Sequence, residues 1–235
     1  MKRATFSTLF LTALILTSGF CQGQSVAKET RDVRNFTKVS FGVAGNLYIN
    51  LGPEYRVVME GNRRTLDEIK TEVSGGRLII RRDNWRFSTN DERVTINITM
   101  PEIEGLSVSG SGKAEIVDFV KSDDLNLSVS GSGKLLTRKI EIDDLNCGIS
   151  GSGDIILSES GTVDRATISI SGSGGFQGEP VEIDHLKVSV SGSGNCYCKV
   201  GDSLDASISG SGNVTYLGNP RLNARVSGSG RVRSK

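Results

Sequence analysis

The sequence has little proline, few aromatic residues and no excess of charge of either sign. Four prolines and 6% aromatic residues stand beside 29 glycines, a composition of either a flexible chain or one built from many tight, repeated turns. With 28 basic and 27 acidic side chains the net charge is +1, so the chain lacks the electrostatic footprint of a protein that binds nucleic acid or anionic lipid. We therefore expect no nucleic-acid partner.

Histidine, the side chain that most often acts as a general acid or base, is also scarce. The single histidine, His185, follows Asp184, and no Ser/His/Asp order or metal-ligand spacing surrounds it. The Ser-Gly-Ser-Gly sequences are not phosphate-binding loops, which require a lysine and a following helix. The sequence thus predicts a protein that is not an enzyme and holds no cofactor.

Only one long apolar run is present, and it lies at the N-terminus. Thr8–Phe20 follows two basic residues and is shorter than the ~20 residues that span a bilayer. This layout is typical of a secretory signal peptide, so we expect cleavage after Gly23 and a location in the periplasm, at the cell surface or outside the cell. The alternative, lipidation of Cys21, is disfavoured by the bulky Phe20 before it. No later stretch is apolar enough to predict a transmembrane segment.

The tetrapeptide Ser-Gly-Ser-Gly occurs seven times, at steps of 18 to 21 residues. The copies begin at Ser109, Ser130, Ser150, Ser171, Ser191, Ser209 and Ser227. Gly/Ser linkers lack apolar residues, whereas alternating apolar residues flank each copy here. The motif is therefore a structural repeat and not a linker.

Alignment of the copies shows the period of two that belongs to a β-strand. In the second repeat the apolar positions are Leu125, Leu127 and Val129 before the motif and Leu135 after it. The same parity places the serines outside and the glycines inside, where a sharp bend leaves no room for a Cβ atom. The predicted turn glycines are Gly110, Gly112, Gly131, Gly133, Gly151, Gly153, Gly172, Gly174, Gly192, Gly194, Gly210, Gly212, Gly228 and Gly230.

A repeat of this length cannot bury its apolar side alone, but stacked repeats form a β-solenoid with a continuous interior. We predict an all-β, right-handed, single-stranded parallel β-helix, because parallel connections are generally right-handed. Residues 1–23 are the expected signal peptide and 24–235 a single domain. In it, 24–104 form irregular capping rungs and 105–235 the seven repeats. Residues 65–68 form either a helical turn opened by a capping box or a corner loop.

An acidic residue stands seven positions before most copies of the motif. The column comprises Glu102, Asp123, Asp143, Asp164, Asp184 and Asp202. Stacked carboxylates attract a hard cation, which indicates a calcium-binding or glycan-binding ridge, or a groove of a polysaccharide-active enzyme. The favoured interpretation is structural: each carboxylate caps a turn by accepting hydrogen bonds from nearby backbone N–H groups.

The outward positions two and four before each motif carry short polar side chains and predict a flat, polar face. Such a face suits polysaccharide or the edge of another protein, or is simply hydrated. Sugar sites usually add aromatic platforms, and the exposed candidates for ligand contact are Trp85, Phe87 and Tyr197.

Three cysteines follow the signal peptide, Cys147, Cys196 and Cys198, all on the inward parity. Two repeats separate the first from the others, beyond the ~7 Å Cα separation that a disulfide allows. Cys196 and Cys198 are poorly placed to bridge because one residue separates them on a strand. We expect all three to be free thiols that pack as small apolar side chains.

Several segments resemble the head GIN domain family. They are 36–39 (FTKV), 45–49 (GNLYI), 66–69 (LDEI) with 76–80 (GRLII), and 94–96 (VTI) leading to Pro101, together with the Ser-Gly-Ser-Gly repeats. The resemblance covers about residues 33–232. The family is labelled an auto-transporter adhesin and is common in Bacteroidetes-type bacteria. The resemblance implies a single-stranded right-handed β-helix and an exported location, and it assigns no activity.

These observations lead to one main functional hypothesis and two alternatives. The main one is an exported interaction module, an adhesin or a binder of envelope polysaccharide. The second is a structural or sensor subunit that binds another envelope protein. The third and least favoured is a polysaccharide-active enzyme.

Overall fold

The computed structural model describes residues 26–82 and 93–235 of the chain. The predicted signal peptide with Cys21, and the aromatic candidates Trp85 and Phe87, lie outside the described residues.

The described chain is almost entirely strand, with one short helix. The strands of the N-terminal part are β1 (Val26–Arg31), β2 (Lys38–Gly42), β3 (Gly45–Leu51), β4 (Arg56–Asn62), β5 (Ile69–Ser74), β6 (Arg77–Arg82) and β7 (Val94–Met100), and helix α1 (Arg63–Asp67) lies between β4 and β5. The strands of the repeats are β8 (Gly105–Gly110), β9 (Lys113–Ile116), β10 (Val120–Gly131), β11 (Lys134–Thr137), β12 (Ile140–Gly151), β13 (Asp154–Leu157), β14 (Gly161–Gly172), β15 (Gly175–Gly192), β16 (Asn195–Gly210), β17 (Asn213–Leu217), β18 (Arg221–Gly228) and β19 (Arg231–Ser234).

Strand pairing arranges these elements in two stacks along one axis. The first stack has the order β5, β6, β2, β8, β10, β12, β14, β15, β16, β18. The second has the order β1, β4, β7, β3, β9, β11, β13, β15, β16, β17, β19. The long strands β15 and β16 take part in both stacks.

Within the repeats every pairing is parallel, and each residue lies opposite its equivalent in the next repeat, apart from two register shifts between β15 and β16. Leu127, for example, lies opposite Leu106 on one side and Cys147 on the other. The result is a β-solenoid of about six stacked turns. The predicted β-solenoid is therefore confirmed.

The apolar columns fill the interior of the solenoid. Leu125, Leu127 and Val129 are at most 1% exposed, as their shared parity predicts. The alternation breaks at Asp143 and Asp144, which lie outside the core in succession, between buried residues. A strand that keeps two successive side chains outside must bend, so the acidic column marks a corner of each coil.

The Ser-Gly-Ser-Gly motif forms another corner, and its two glycines serve different purposes. The second glycine of the motif is buried in the first six copies, as predicted; a Cβ at Gly153 would lie 2.4 Å from the carbonyl oxygen of Gly133 in the preceding coil. The first glycine is not inside, contrary to the parity argument. Gly151 has φ +109°, and a Cβ there would lie 2.6 Å from the carbonyl oxygen of Gly131. Glycine is needed there because the backbone is left-handed and successive coils touch.

The carbonyl of the first glycine also ties the coils together. The Gly131 oxygen accepts hydrogen bonds from the N–H groups of Ser152 and Gly153, each at 2.9 Å. The same pair of bonds recurs one coil later at the Gly151 oxygen, at 2.9 and 3.0 Å. Polar backbone groups at the corner are thus paired along the solenoid axis.

The three cysteines are free and buried in the solenoid, which confirms the expected thiols. Burial raises the pKa of the Cys147 thiol. A hydrogen bond with Cys198, together with burial, raises the pKa of Cys196. Neutral thiols in this interior behave as small apolar side chains.

Candidate functional site

The outer face of the first stack carries two columns of serines with a groove between them. We call this the serine groove; its volume is about 550 Å³ and it crosses five coils. Its walls are formed by Ser128, Ser130, Ser150, Ser169, Ser171, Ser189, Ser191, Ser207 and Ser209, with Gly148 in one wall, and its floor by Val129, Ile149, Ile170 and Val190. The floor side chains point into the core, and most of the surface that lines the groove is carbon, with the serine hydroxyl groups along its two sides.

The geometry of the serine groove follows directly from the repeat. The walls are the positions two before the motif and the first serine of the motif, and in-register pairing places equivalent serines above one another, as with Ser130 and Ser150. Successive coils are ~4.8 Å apart, so the groove offers a regular array of hydroxyl groups. The sequence predicted a flat polar face, but the structure shows a grooved one.

Two further grooves lie beside the serine groove on the same stack. One, of about 550 Å³, has Asn126, Asn146 and Thr167 along one side and Lys38 with Arg77 at its N-terminal end. The other, of about 280 Å³, lies toward the C-terminus and has Lys187, Asp205, Asn223 and Arg225 on its border.

Polar side chains on this face bind their neighbours in adjacent coils. Ser128 Oγ donates to Ser107 Oγ at 2.8 Å, and Asn223 Nδ2 donates to Asp205 Oδ1 at 2.7 Å. Serine hydroxyls both donate and accept, so a ladder of this kind keeps unused donors or acceptors for a ligand.

The acidic column is exposed, and basic side chains lie beside it. Beside it, Arg165 donates from Nε to Asp144 Oδ1 at 2.8 Å and from Nη2 to Asp144 Oδ2 at 2.6 Å. These hydrogen bonds lower the pKa of Asp144. Lys121 similarly pairs with Glu141 of the next coil. Within residues 26–82 and 93–235, no three His, Cys, Asp or Glu side chains converge on a point that suits a metal ion. Calcium binding by Asp123, Asp143, Asp164, Asp184 and Asp202 therefore stays a prediction that no convergence of ligands supports.

Three polar residues of the fifth and sixth repeats meet at the corner before the motif. His185 and Ser203 each lie six positions before their Ser-Gly-Ser-Gly motif, and in-register pairing places them opposite each other. His185 Nδ1 lies 2.9 Å from Ser203 Oγ, and His185 Nε2 lies 3.9 Å from Asp202 Oδ2.

This Ser–His–Asp cluster does not have the geometry of a nucleophilic triad. The 3.9 Å separation is longer than a hydrogen bond, so the carboxylate does not orient the imidazole. The cluster lies at an exposed corner and contributes to none of the grooves described above. It is a polar contact between coils and adds no support for an enzyme.

Of the aromatic candidates, only Tyr197 falls within the described residues. It is 37% exposed and lies in the second stack, between Gln177 and Thr215 of the adjacent coils. The glycine corner separates it from the serine groove in the chain, so the structure does not bring the predicted aromatic residue into that groove.

The fold and this face define a β-solenoid with a serine-lined groove on its surface and without a recognisable catalytic centre among its described residues. The family model described as "Putative auto-transporter adhesin, head GIN domain" matches residues 35–220. The chain belongs to this family. In the part of the chain that the structure describes, no helix has the length and apolar character needed to cross a bilayer.

Solved structures share the fold at low sequence identity. A "putative adhesin" from Bacteroides fragilis superposes with a TM-score of 0.85 at 24% identity, covering 91% of this chain and 98% of that one. A "putative lipid binding protein" from Parabacteroides distasonis has a TM-score of 0.71 at 22% identity, covering 89% and 96%. A "putative adhesin" from Parabacteroides merdae has a TM-score of 0.68 at 18% identity, covering 89% and 96%. The search of curated proteins gave no match to this chain.

Proposed function

We propose that this protein is an exported adhesin that binds a neutral polysaccharide of the cell envelope in the serine groove. The observation that carries the proposal is the array of serine hydroxyls along five coils, which surrounds a groove of about 550 Å³. The family description supports the general role of an adhesin, and the N-terminal signal-peptide pattern supports export.

The chemistry of the groove favours an uncharged sugar chain that lies along the solenoid axis. Its walls contain hydroxyl groups and no charged side chain, so ionic groups of a ligand would find no partner there. The ~4.8 Å spacing of the coils is similar to the length of one pyranose ring. Each sugar residue would then meet equivalent serines, and many weak contacts would add up along the chain.

The test measures the thermal stability of the purified protein with soluble neutral polysaccharides (a β-glucan, a mannan and a galactan) and with acidic alginate. A ligand at 100 times its dissociation constant adds ~2.7 kcal/mol of stability. We expect a saturable shift with a neutral glycan and none with alginate. The variant Ser150→Tyr/Ser189→Tyr, which fills the groove from both walls, should lose the shift.

Ser173→Tyr is the matched control, because Ser173 is an exposed serine of the glycine corner that does not line the serine groove. It should keep the full shift. Absence of a shift with every neutral glycan, or equal loss in both variants, contradicts the proposal. Phosphatidylcholine vesicles are included because one structural relative is named a lipid-binding protein. A shift with vesicles and with none of the glycans would indicate that the ligand is a lipid and not a glycan.

A further inference from the structure

The last coil of the solenoid has a neighbour on one side only. In the described chain, β18 pairs with β16, β19 pairs with β17, and no strand pairs with their outer edges. The backbone N–H and C=O groups along an outer edge form a template for an additional strand.

The apolar columns continue into this coil but are not covered there. Leu222 is 45% exposed and Val226 is 44% exposed, whereas their equivalents one coil earlier, Leu204 and Ile208, are buried. We call β18, β19 and these exposed side chains the C-terminal end face. Exposed apolar side chains beside an unpaired strand edge are typical of an interaction site.

The charge of this end face is of one sign. Residues 218–235 contain Arg221, Arg225, Arg231, Arg233 and Lys235 and no aspartate or glutamate. Lys235 forms an ion pair with Glu179 at 3.0 Å, and Arg233 Nε donates to Thr215 Oγ1 at 3.3 Å. Among the described ion pairs, none involves the three remaining arginines. Two copies that met through this face would bring like charges together, which disfavours a symmetric dimer.

We propose that the C-terminal end face binds an extended acidic segment of another protein, which adds to the outer edge of β18 as one more strand. Main-chain hydrogen bonds give such a segment its affinity, and alternate side chains give its specificity. Along β18, exposed Leu222 and Val226 share one parity, while Arg221 and Arg225 share the other. The fitting segment therefore alternates apolar and acidic residues.

The test uses fluorescent ten-residue peptides and the full protein. The probe is five Glu-Val repeats; the controls are a peptide of five glutamates followed by five valines, and five Lys-Val repeats. We expect saturable binding of the Glu-Val peptide, at least tenfold weaker binding of both controls, and slower hydrogen exchange of the β18 amides in the complex. The composition-matched block peptide separates strand addition from simple charge attraction.

Two variants locate the site. Arg221→Glu/Arg225→Glu should weaken binding of the Glu-Val peptide at least tenfold, because it reverses the charge beside the edge. Arg64→Glu, an exposed arginine of α1 at the opposite end of the solenoid, should leave binding unchanged. Equal binding of the block and alternating peptides, equal loss in both variants, or binding of heparin or phosphatidylglycerol vesicles without binding of the Glu-Val peptide overturns the proposal. Glycan binding in the serine groove is measured separately, so either proposal fails without the other.

Discussion

The two ends of the solenoid differ in whether the outermost coil is covered by other elements. At the N-terminal end, antiparallel strands outside the repeat pattern close both stacks: β1 pairs with β4, and β5 pairs with β6. At the C-terminal end, the repeat simply continues to its last coil, whose strand β18 is exposed at every residue. The repeat alone buries the apolar side chains between coils, but covering them at an end requires additional elements.

The N-terminal cap covers the core with a helix and polar contacts. Leu66 of α1 is fully buried, and Arg31 of β1 donates from Nη2 to the carbonyl oxygens of Leu66 and Ile69 at 3.0 and 3.3 Å. The Phe36 and Tyr55 rings pack with their centroids 4.9 Å apart. The outermost strands carry charged residues such as Lys28, which protects a strand edge against pairing with other chains.

A leucine truncation at each end tests this comparison with the largest expected effect. Leu66→Ala removes a fully buried side chain from the cap and should lower the free energy of unfolding by about 2–5 kcal/mol. Leu222→Ala, at a side chain that is 45% exposed, should cost about 1 kcal/mol or less. Urea unfolding followed by circular dichroism measures both. Equal losses would show that the C-terminal end face is covered in solution.

Glycine substitutions sharpen the comparison between the first repeat and the repeats stacked on it. Both Gly110 and Gly151 have positive φ, but a Cβ at Gly110 meets nothing within 4 Å, whereas one at Gly151 meets the carbonyl of Gly131. Gly110→Ala should therefore cost the backbone strain alone, about 1–2 kcal/mol. Gly151→Ala adds overpacking between coils, about 1–3 kcal/mol more. The same urea titration measures both variants; if Gly110→Ala were the more damaging, coil-to-coil contact would not be the reason for glycine.

The seven repeats were predictable because the same alternation of apolar and polar residues recurs in each of them. A period of two identifies Leu125, Leu127 and Val129 as core, and repetition at near-constant steps implies stacking. The N-terminal cap was less predictable. Residues 65–68 were expected to form either a helical turn opened by a capping box or a corner loop. A helix is present, but it begins earlier, with Asn62 as the N-cap that accepts from the Arg64 N–H at 3.0 Å. The edge strand β1 carries charged residues in place of an apolar alternation, so the strand pattern did not reveal it.

The candidate site was predictable in composition but not in shape. The sequence placed serines on the outer face, but residue spacing alone does not show whether the surface between their columns is flat or grooved. The pairing of Ser203 with His185, by contrast, was available from the sequence, because each residue lies six positions before its motif. The alternation of inward and outward side chains placed the first glycine of each motif inside. This prediction was wrong because the alternation holds only along an extended strand, and the chain bends at that glycine.

The smallest expected effect on stability comes from removing an ion pair. It tests whether burial of apolar side chains or ion pairing contributes more to the stability of the solenoid. Asp144 and Arg165 form a pair on the exposed corner, midway between the ends, and the hydrogen bonds from Arg165 lower the pKa of Asp144 in the folded state. A carboxyl group with a lowered folded-state pKa stabilises the fold above its unfolded pKa of about 3.9. That stability is lost as the pH falls through the lowered value.

We therefore expect Asp144→Asn to lower the urea midpoint slightly at pH 7 and to match the wild type at a pH below the folded-state pKa of Asp144. The effect should be smaller than that of either glycine substitution, because exposed ion pairs contribute little. Arg165→Gln should have the same effect at pH 7, and the double variant no more than either single one, since both remove one interaction. A larger loss at pH 7 than that of Leu66→Ala would mean that the corner charges, and not the buried cap, dominate the stability of the solenoid.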